Sequence, residues 1–182
     1  MFDKIAIIGL GLIGSSLSHV VRREKLAGHI AGYARSEATR AKAVELGLVH
    51  SMHESAAAAV AGCDLVILCS PVGTYGAIAR EIAKNLRPGA EPEAVARLER
   101  FWRACGSNVE TMTPEHHDLV LAITSHLPHL IAYNIVATAA DLEEVTNSEV
   151  IKYSAGGFRD FTRIAASDPT MWRDVFLNNR EA

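Results

Sequence analysis

Residues 1–16 read MFDKIAIIGLGLIGSS, and this stretch decides the fold. A short apolar run is followed by three glycines in the spacing G-x-G-x-x-G, and then by apolar residues at helical spacing. Gly9 permits a tight turn, Gly11 lets the backbone approach a pyrophosphate, and Gly14 lets the helix pack close to the strand. The first helical turn offers free N–H groups to phosphates. The stretch therefore predicts a dinucleotide-binding strand–turn–helix unit whose cofactor-binding residues are Gly9, Gly11, Leu12, Ile13 and Gly14.

The composition is that of an ordinary globular protein. The chain has 182 residues, of which 49% are hydrophobic and 21% charged, and its net charge is −3. This charge favours neither nucleic acid nor an anionic membrane as a partner. We expect no membrane-spanning segment, which needs about 18–20 apolar residues, and no signal peptide. Three cysteines without metal-site spacing (Cys63, Cys69 and Cys105) suit a cytoplasmic protein without a metal.

The end of the second expected strand bears on the choice of nucleotide. Residues 29–34 (HIAGYA) have the character of a strand, and Ala34 is followed by Arg35 and Ser36. An acidic residue here would bond the ribose hydroxyls and favour NAD, whereas a cation and a hydroxyl can hold a 2′-phosphate. Alternatively, Arg35 stacks on the adenine or points to solvent. NAD and NADP both stay open as the cofactor, with Arg35 and Ser36 as candidate binding residues.

The next part of the chain alternates strands and helices, as a parallel sheet requires. Its expected elements are helices at residues 36–46, 54–61 and 74–86 and a short strand at 48–49. The first of these helices has Ser36 as its N-cap. Residues 64–69 (DLVILC) form a continuous apolar run, typical of a strand covered on both faces. Ligands bind at the carboxyl ends of such strands, so Ser70 and Pro71 are expected to face the cofactor.

This alternation breaks after Ala90. A Rossmann chain should enter its next strand here, but the sequence passes directly into an amphipathic helix at residues 94–105, followed by a short strand at 108–112. We therefore expect an α/β fold in two domains. The first, at residues 1–112, is an N-terminal Rossmann-type parallel sheet that is incomplete after Ala90, and the second, at 113–182, is all-helical.

The second domain has clear helix signals. Thr113 is an N-cap followed by proline, and the helix it opens is expected to run toward Leu142, with a kink or an internal restart at Pro128. Residues 154–163 are expected to form a polar, glycine-rich connection. A last helix is expected from Asp168 onward.

Several segments together resemble the prephenate and arogenate dehydrogenases of tyrosine biosynthesis. They are GLGLIGSSL in the glycine turn, SPV at residues 70–72, TPEHHDLVLAITSHLPH at 113–129 and GGFRDFTRIAASDPTMWRD at 156–174. The resemblance implies a Rossmann domain that binds NAD or NADP, and a helical domain that dimerises. It also implies oxidative decarboxylation of a cyclohexadienyl substrate, prephenate or arogenate, with hydride transfer to the nicotinamide.

The resemblance also implies substrate-binding residues. Arg163 matches an arginine that grips the substrate carboxylate, and its alternative is an ion pair with Asp160 or Asp168. The other candidates are Ser125, His126, His129 and Trp172. Without the resemblance, the two histidines would be interpreted as hydrogen-bonded core residues and Trp172 as core packing. The pair His117–Asp118 is interpreted as a structural hydrogen bond rather than as a metal or relay pair.

The sequence departs from the family pattern in its centre. The family's Gly-Ser-x-Lys turn and its His-Pro-x-x-Gly segment, which carries the catalytic histidine, do not occur. Both would lie between Ala90 and Glu91, where we expect that about 60 residues of a complete Rossmann domain are missing. The C-terminal helices used for dimerisation are expected to extend beyond Ala182. The catalytic residue is therefore unknown, and the activity of these 182 residues as they stand is open.

Two other functions stay open. A different two-domain dehydrogenase, of the hydroxyacid type, should carry a catalytic lysine on the long helix, but the C-terminal region has only Lys152, which lies outside that helix. A truncated nucleotide-binding or dimerisation module is the non-enzymatic alternative. Prephenate versus arogenate and feedback regulation by tyrosine are not decided by the sequence.

Overall fold

The computed structural model describes residues 1–86, 93–146 and 152–182, with the side chains of 143–146 left aside. The chain divides into two units, Met1–Glu110 (unit 1) and Thr111–Ala182 (unit 2). The expected break between Ala90 and Glu91 lies outside the described residues.

Unit 1 is built on a parallel sheet. Its strands are β1 (Phe2–Ile8), β2 (Ala27–Tyr33), β3 (Ser51–His53) and β4 (Leu65–Leu68). Their order is β3-β2-β1-β4, and every neighbouring pair is parallel. In register, Ile5 of β1 lies between Ile30 of β2 and Leu65 of β4. The strand ends that follow Ile8, Tyr33 and Leu68 therefore meet at one edge of the sheet.

Helices cover both faces of this sheet. They are α1 (Leu12–Arg23), α2 (Glu37–Glu45), α3 (Ala56–Val60), α4 (Tyr75–Ile82) and α5 (Ala94–Ala104). Short 3₁₀ turns at Val72–Thr74 and Ala83–Asn85 flank α4. The expected cap at Ser36 is confirmed, because its hydroxyl oxygen accepts a hydrogen bond from the N–H of Thr39. Ser55 caps α3 in the same way.

The core of unit 1 has two layers, one on each side of β1. Ile5 and Ile7 face one layer, which includes Phe101 of α5, while Ala6 and Ile8 face the other. All five side chains are at most 1% exposed. A nearly continuous apolar strand buried on both faces is what a central parallel strand requires.

Two expected strands were wrong. Leu48 is buried at 2% exposure but belongs to the turn after α2, and its carbonyl oxygen accepts a hydrogen bond from the Ser18 hydroxyl. The strand lies instead at Ser51–His53, where register with Ala31–Tyr33 places it. Residues 108–112 contain no strand in the structure. In both places side-chain character alone suggested a strand, but the position of a ladder partner decides where one forms.

Unit 2 is helical. Its elements are α6 (Pro114–Leu121), a π-helical turn (Ala122–His126), α7 (Leu127–Thr146), α8 (Gly156–Thr162), a 3₁₀ turn (Arg163–Ala166) and α9 (Pro169–Asn178). The Thr113 cap is confirmed, because its hydroxyl oxygen accepts from the N–H of His116. The irregularity expected at Pro128 takes the form of the π turn just before it, since proline cannot donate to the helical ladder. Residues 156–162 form a helix, so the expectation of a connection there was wrong.

The continuous helical run formed by α6, the π turn and α7 is strongly apolar. Pro114–Leu142 is long and apolar enough to cross a membrane by length and composition, contrary to the expectation that no segment would be, and only 6% of its most apolar window is buried. Length and composition are weak grounds for a membrane span, because a helix that packs on another protein chain meets the same criteria.

Candidate nucleotide and substrate sites

The glycine turn has no space for side chains at two of its three glycines. Gly9 has φ of +103°, a left-handed conformation, and a Cβ there would lie 2.7 Å from the carbonyl oxygen of Cys69. A Cβ on Gly14 would collide with the carbonyl oxygen of Gly9. Gly11 has no atom within 4 Å of its ideal Cβ position. The turn is therefore tight at both ends and open at its centre, where a pyrophosphate would approach the backbone.

The start of α1 suits an anionic ligand. No side chain caps the helix, its first turn carries no acidic residue, and Gly11 is the N-cap residue. Leu12 and Ile13 are 86% and 72% exposed, although both are large apolar residues. Free N–H groups at a helix N-terminus bind phosphate, and a ligand bound there would cover these exposed apolar side chains. The residues present therefore fit a nicotinamide dinucleotide.

The turn after β4 lies against the glycine turn. The ideal Cβ position of Gly9 is 2.9 Å from the backbone nitrogen of Ser70. The Thr74 hydroxyl lies 2.9 Å from Ser70 Oγ and 2.6 Å from the carbonyl oxygen of Pro71, which holds this turn in place. Ser70 and Pro71 thus stand beside the predicted pyrophosphate site. Burial raises the pKa of the neighbouring Cys69 thiol, so this cysteine stays protonated.

The end of β2 lies next to the same turn, because the N–H of Gly9 donates to the carbonyl oxygen of Tyr33 at 2.8 Å. Arg35 and Ser36 follow directly. Arg40 of α2 reaches back to this point, where its Nη1 donates to the carbonyl oxygens of Ala34 and Arg35 at 2.8 and 3.0 Å. Sequence reasoning missed Arg40. Its position in the second turn of a helix that begins beside Arg35 was the available signal.

In unit 2, two histidines and a tryptophan form a cluster. The ring of His129 stacks on Trp172 with a centroid distance of 3.6 Å and an interplanar angle of 19°. His126 meets the same indole edge-on at 6.3 Å. Trp172 is 9% exposed, and its Nε1–H has no hydrogen-bond partner among the described residues. The structure thus brings together three of the five predicted substrate-binding side chains.

Hydrogen bonds fix the tautomers of the two histidines. His129 Nδ1 lies 2.9 Å from the carbonyl oxygen of Ser125, which can only accept, so Nδ1 carries a proton. His126 Nδ1 lies 3.0 Å from Asn179 Nδ2, which also donates to the carbonyl oxygen of Asp118. His126 Nδ1 is therefore the acceptor. In their neutral forms His129 offers a lone pair at Nε2 and His126 offers an N–H at Nε2.

Burial lowers the pKa of His126, and this effect exceeds the opposing influence of the Asp118 carboxylate. The neutral form that accepts from Asn179 is therefore favoured. When both rings are neutral, the two Nε2 atoms can accept one hydrogen bond from a substrate and donate one to it.

Among the described residues, no hydrogen bond or ring contact joins Arg163 to this cluster. It is exposed, and no hydrogen bond or ion pair of its side chain, including one to Asp160 or Asp168, is recorded in the part of the chain that the structure describes. Asp168 is engaged elsewhere, because its carboxylate caps α9 by accepting from the N–H groups of Thr170 and Met171. The 3₁₀ turn that begins at Arg163 is tied to α7 by a 2.7 Å hydrogen bond from the Tyr133 hydroxyl to the carbonyl oxygen of Ser167.

Unit 2 also contains an exposed histidine–aspartate pair and an apolar cleft. His117 Nδ1 lies 3.0 Å from Asp118 Oδ1 in an exposed pair. Within residues 1–86, 93–146 and 152–182, no three histidine, cysteine or acidic side chains are placed to hold a metal ion. An apolar cleft of about 310 Å³ adjoins Trp172 and is lined by Tyr133, Pro169, Trp172, Arg173, Phe176 and Leu177.

Both units match described protein families. Residues 17–92 match the nucleotide-binding domain of prephenate dehydrogenase, and residues 113–182 match the dimerization domain of prephenate dehydrogenase. The whole chain is 31% identical to a cyclohexadienyl dehydrogenase of Zymomonas mobilis and covers 83% of that protein. It is 26% identical to a prephenate dehydrogenase of Bacillus subtilis, of which it covers 65%. Among solved structures, a prephenate dehydrogenase from A. aeolicus in complex with hydroxyphenyl propionate and NAD+ matches with a TM-score of 0.89 at 28% identity, over 100% of this chain and 84% of that one.

The alignment with the Zymomonas protein is longer than the chain itself. It runs over 242 residues and includes all of this chain, which has 182 residues. The relative therefore contains residues within the aligned span that this chain lacks.

Proposed function

Because this chain belongs to the prephenate dehydrogenase family, we propose that it oxidatively decarboxylates prephenate, arogenate or both, with NAD+ or NADP+. The observation that carries the proposal is the 31% identity to a cyclohexadienyl dehydrogenase over the whole chain. The nicotinamide cofactor, when bound, supplies the hydride acceptor for this chemistry. The protein itself binds and orients the cofactor and the substrate.

Unit 1 holds the dinucleotide in this proposal. The open backbone at Gly11 and the free first turn of α1, at Leu12 and Ile13, receive the pyrophosphate, and Gly9 and Gly14 keep the turn tight. Ser70 and Pro71 close the opposite side of the site. Arg35 and Ser36 lie where the adenosine ribose is expected in this fold.

Unit 2 holds the substrate. His129 accepts a hydrogen bond at Nε2, and Ser125 keeps it in that tautomer. His126 donates from Nε2, and the Trp172 indole supports the His129 ring from below. The exposed guanidinium of Arg163 supplies a planar two-pronged donor that suits a carboxylate, which both prephenate and arogenate carry.

A second candidate function has its own support. The alignment of 242 residues against a chain of 182 residues agrees with the expectation that a central segment is missing. The His-Pro-x-x-Gly segment implied by the family resemblance is absent from the sequence. In this alternative, the chain binds the nucleotide and dimerises but turns over slowly, because it lacks a general base.

One assay separates the two candidates. Purified protein is given prephenate or L-arogenate with NAD+ or NADP+, and formation of reduced cofactor is followed by absorbance. Reduced cofactor with either substrate supports the dehydrogenase. Nucleotide binding without reduction supports the second candidate. An intact mass well above 19.6 kDa would show that the natural protein carries the additional segment.

We also propose that the protein acts as a homodimer in the cytoplasm. The surface of α6, the π turn and α7 exposes many large apolar residues: Leu119, Val120, Ile123, Leu127, Leu130, Ile131, Ile135, Val136 and Leu142. Exposed apolar surface of this extent is covered by a protein partner in most soluble proteins, and a second copy is the simplest partner for a dimerization domain. The free thiols of Cys69 and Cys105 agree with a reducing compartment. Sedimentation velocity, expected to give twice the chain mass, tests the dimer.

A further inference from the structure

The carboxyl end of β2 lacks the group that would select NAD. Ala34, the first residue after the strand, is 5% exposed and has no polar side chain. Arg35 and Ser36 follow it, so no carboxylate lies at residues 34–36. In dinucleotide-binding folds an acidic side chain at the end of this strand bonds the ribose 2′-hydroxyl.

Two guanidinium groups lie at this point instead. Arg40 is held there, because its Nη1 donates to the carbonyl oxygens of Ala34 and Arg35 at 2.8 and 3.0 Å. These two bonds use both N–H groups of Nη1 and leave the donors of Nε and Nη2 for a ligand. The Arg35 side chain is exposed and has no recorded partner among the residues that the structure describes. The pair therefore supplies two positive charges, one fixed by the backbone and one free to move.

A hydroxyl completes the set of donors. Ser36 Oγ accepts from the N–H of Thr39 at 3.4 Å, and its own hydrogen stays available to a ligand. The nearest carboxylate in the sequence is that of Glu37, in the first turn of α2. Its carboxylate could accept from ribose hydroxyls, and its negative charge would oppose a phosphate.

We propose that Arg35 and Arg40, with the Ser36 hydroxyl, bind the 2′-phosphate of NADP+ and make it the preferred cofactor of this chain. The inference rests on the proposed function, since it assumes that unit 1 holds a dinucleotide. A phosphate monoester carries close to two negative charges at neutral pH and accepts several hydrogen bonds, which matches two guanidinium groups and a hydroxyl.

Binding of two adenosine fragments tests the inference without any turnover. Calorimetry on the full chain compares adenosine 2′,5′-bisphosphate with 5′-AMP, which differ only in the 2′-phosphate. We expect the bisphosphate to bind about tenfold more tightly at low salt. This preference should shrink as salt is added, because exposed charges are screened.

Variants assign the preference to the two arginines. Arg35→Ala should remove most of this preference, because the affinity for the bisphosphate should fall far more than that for 5′-AMP, and Arg35→Lys should keep part of it. Arg40→Gln should lower it as well, with circular dichroism to show that α2 is retained. Arg23→Ala is the matched control. It removes one exposed arginine from the far end of α1, where Arg23 pairs with Glu24 at 2.7 Å.

The outcomes are separable. Equal binding of the two fragments, tighter binding of 5′-AMP, or equal losses for both fragments in Arg35→Ala would overturn the 2′-phosphate site and leave the dinucleotide site standing. Failure of both fragments to bind at millimolar concentration would overturn the dinucleotide site itself, and the 2′-phosphate site with it.

Discussion

The two units differ in how they treat their apolar residues. Unit 1 buries its own, with five side chains of β1 and α5 at most 1% exposed and helices on both faces of the sheet. In the described part of unit 2, three apolar residues are buried (Ala132, Ala139 and Trp172), while α6 and α7 expose a long series of leucines, isoleucines and valines. Unit 1 therefore carries its stability within itself, and unit 2 depends on surface that another chain must cover.

This difference separates two kinds of mutation. In unit 1, removing buried apolar atoms lowers the free energy of unfolding at any protein concentration. In unit 2, altering exposed apolar residues acts through assembly, so its effect depends on concentration.

The largest loss of stability is expected from a substitution at Phe101. Its ring is fully buried and packs edge-on against Phe2, with a centroid distance of 5.7 Å, and against Trp102 at 5.3 Å. Phe101→Ala should lower the free energy of unfolding by about 3–5 kcal/mol, because a cavity replaces the ring. Chemical denaturation with nucleotide absent measures this loss.

The matched control for Phe101 lies one helical turn earlier. Leu98 of α5 is 38% exposed, so Leu98→Ala should cost less than about 1 kcal/mol. If both variants lose the same free energy, α5 does not seal the core of unit 1.

The second effect concerns the glycine turn. Gly14→Ala places a Cβ against the carbonyl oxygen of Gly9, which is backbone and cannot rotate away. We expect a loss of about 3 kcal/mol in stability and of at least about 100-fold in nucleotide affinity, since the turn must open. Denaturation and calorimetry with NAD+ or NADP+ measure the two losses.

Gly11→Ala separates folding from binding at the same turn. Its Cβ would meet no atom within 4 Å, so the loss of stability should stay below about 1 kcal/mol, the cost of alanine in place of glycine at an N-cap. Nucleotide affinity should still fall, because the methyl group occupies the space proposed for the pyrophosphate. Unchanged affinity in this variant would place the pyrophosphate elsewhere.

The glycine turn also shows which structural features could be predicted from the sequence. Strand, glycine turn and helix follow from local rules, as do the caps at Ser36 and Thr113, since each needs only a few adjacent residues. The third strand was misplaced because Ser51–His53 is polar and forms only where β2 offers a ladder partner. A ladder partner lies far away in sequence, so local character cannot reveal it.

In the candidate sites, too, local features could be predicted and contacts between residues distant in sequence could not. The family resemblance pointed to His126, His129 and Trp172, and the structure packs these three together. The sequence could not show that Asn179 fixes the His126 tautomer, because the two residues lie far apart along the chain and meet only when α9 folds against the π turn. Arg40 was missed for a related reason, since its role depends on which carbonyl groups its guanidinium reaches.

A third prediction tests the dependence of unit 2 on a partner. Ile131 of α7 is 41% exposed, and Ile131→Glu places a charge in the apolar surface of this helix. We expect the dimer dissociation constant to rise by more than about tenfold, because a buried unpaired charge at an interface is costly. Sedimentation at several protein concentrations measures it.

Ala140→Glu is the matched control for Ile131. Ala140 is also exposed on α7, and it lies on the opposite side of the helix, because nine residues after Ile131 make two and a half turns. This variant introduces the same charge outside the apolar surface, so dimerisation should be unaffected. If both variants stay dimeric, the exposed apolar residues of α7 do not form the dimer interface.

The smallest effect on stability is expected at acidic pH, and it concerns one histidine in each unit. His50 Nδ1 accepts from the N–H of Ile30 at 2.9 Å, and His126 Nδ1 accepts from Asn179 Nδ2 at 3.0 Å. Both arrangements require a neutral ring. Burial is the main cause that lowers the pKa of each histidine below its ordinary value of 6.5. At His50, the charges of Arg22 and His29 lower the pKa further. At His126, His117 and His129 also lower the pKa, whereas the Asp118 carboxylate raises it.

Because the folded state holds these rings neutral, the unfolded state binds more protons at mildly acidic pH. The stabilising contribution of each histidine is therefore complete above pH of about 6.5 and is lost as the pH falls toward the lowered folded value. Histidine NMR titrations should give both rings a pKa below 6.5. Asn179→Ala should raise the pKa of His126 alone, since it removes a donor that favours the neutral ring and leaves Asp118 nearby. A parallel rise at His50 would mean that the variant disturbs the whole chain, and an unchanged pKa at His126 would mean that Asn179 does not select its tautomer.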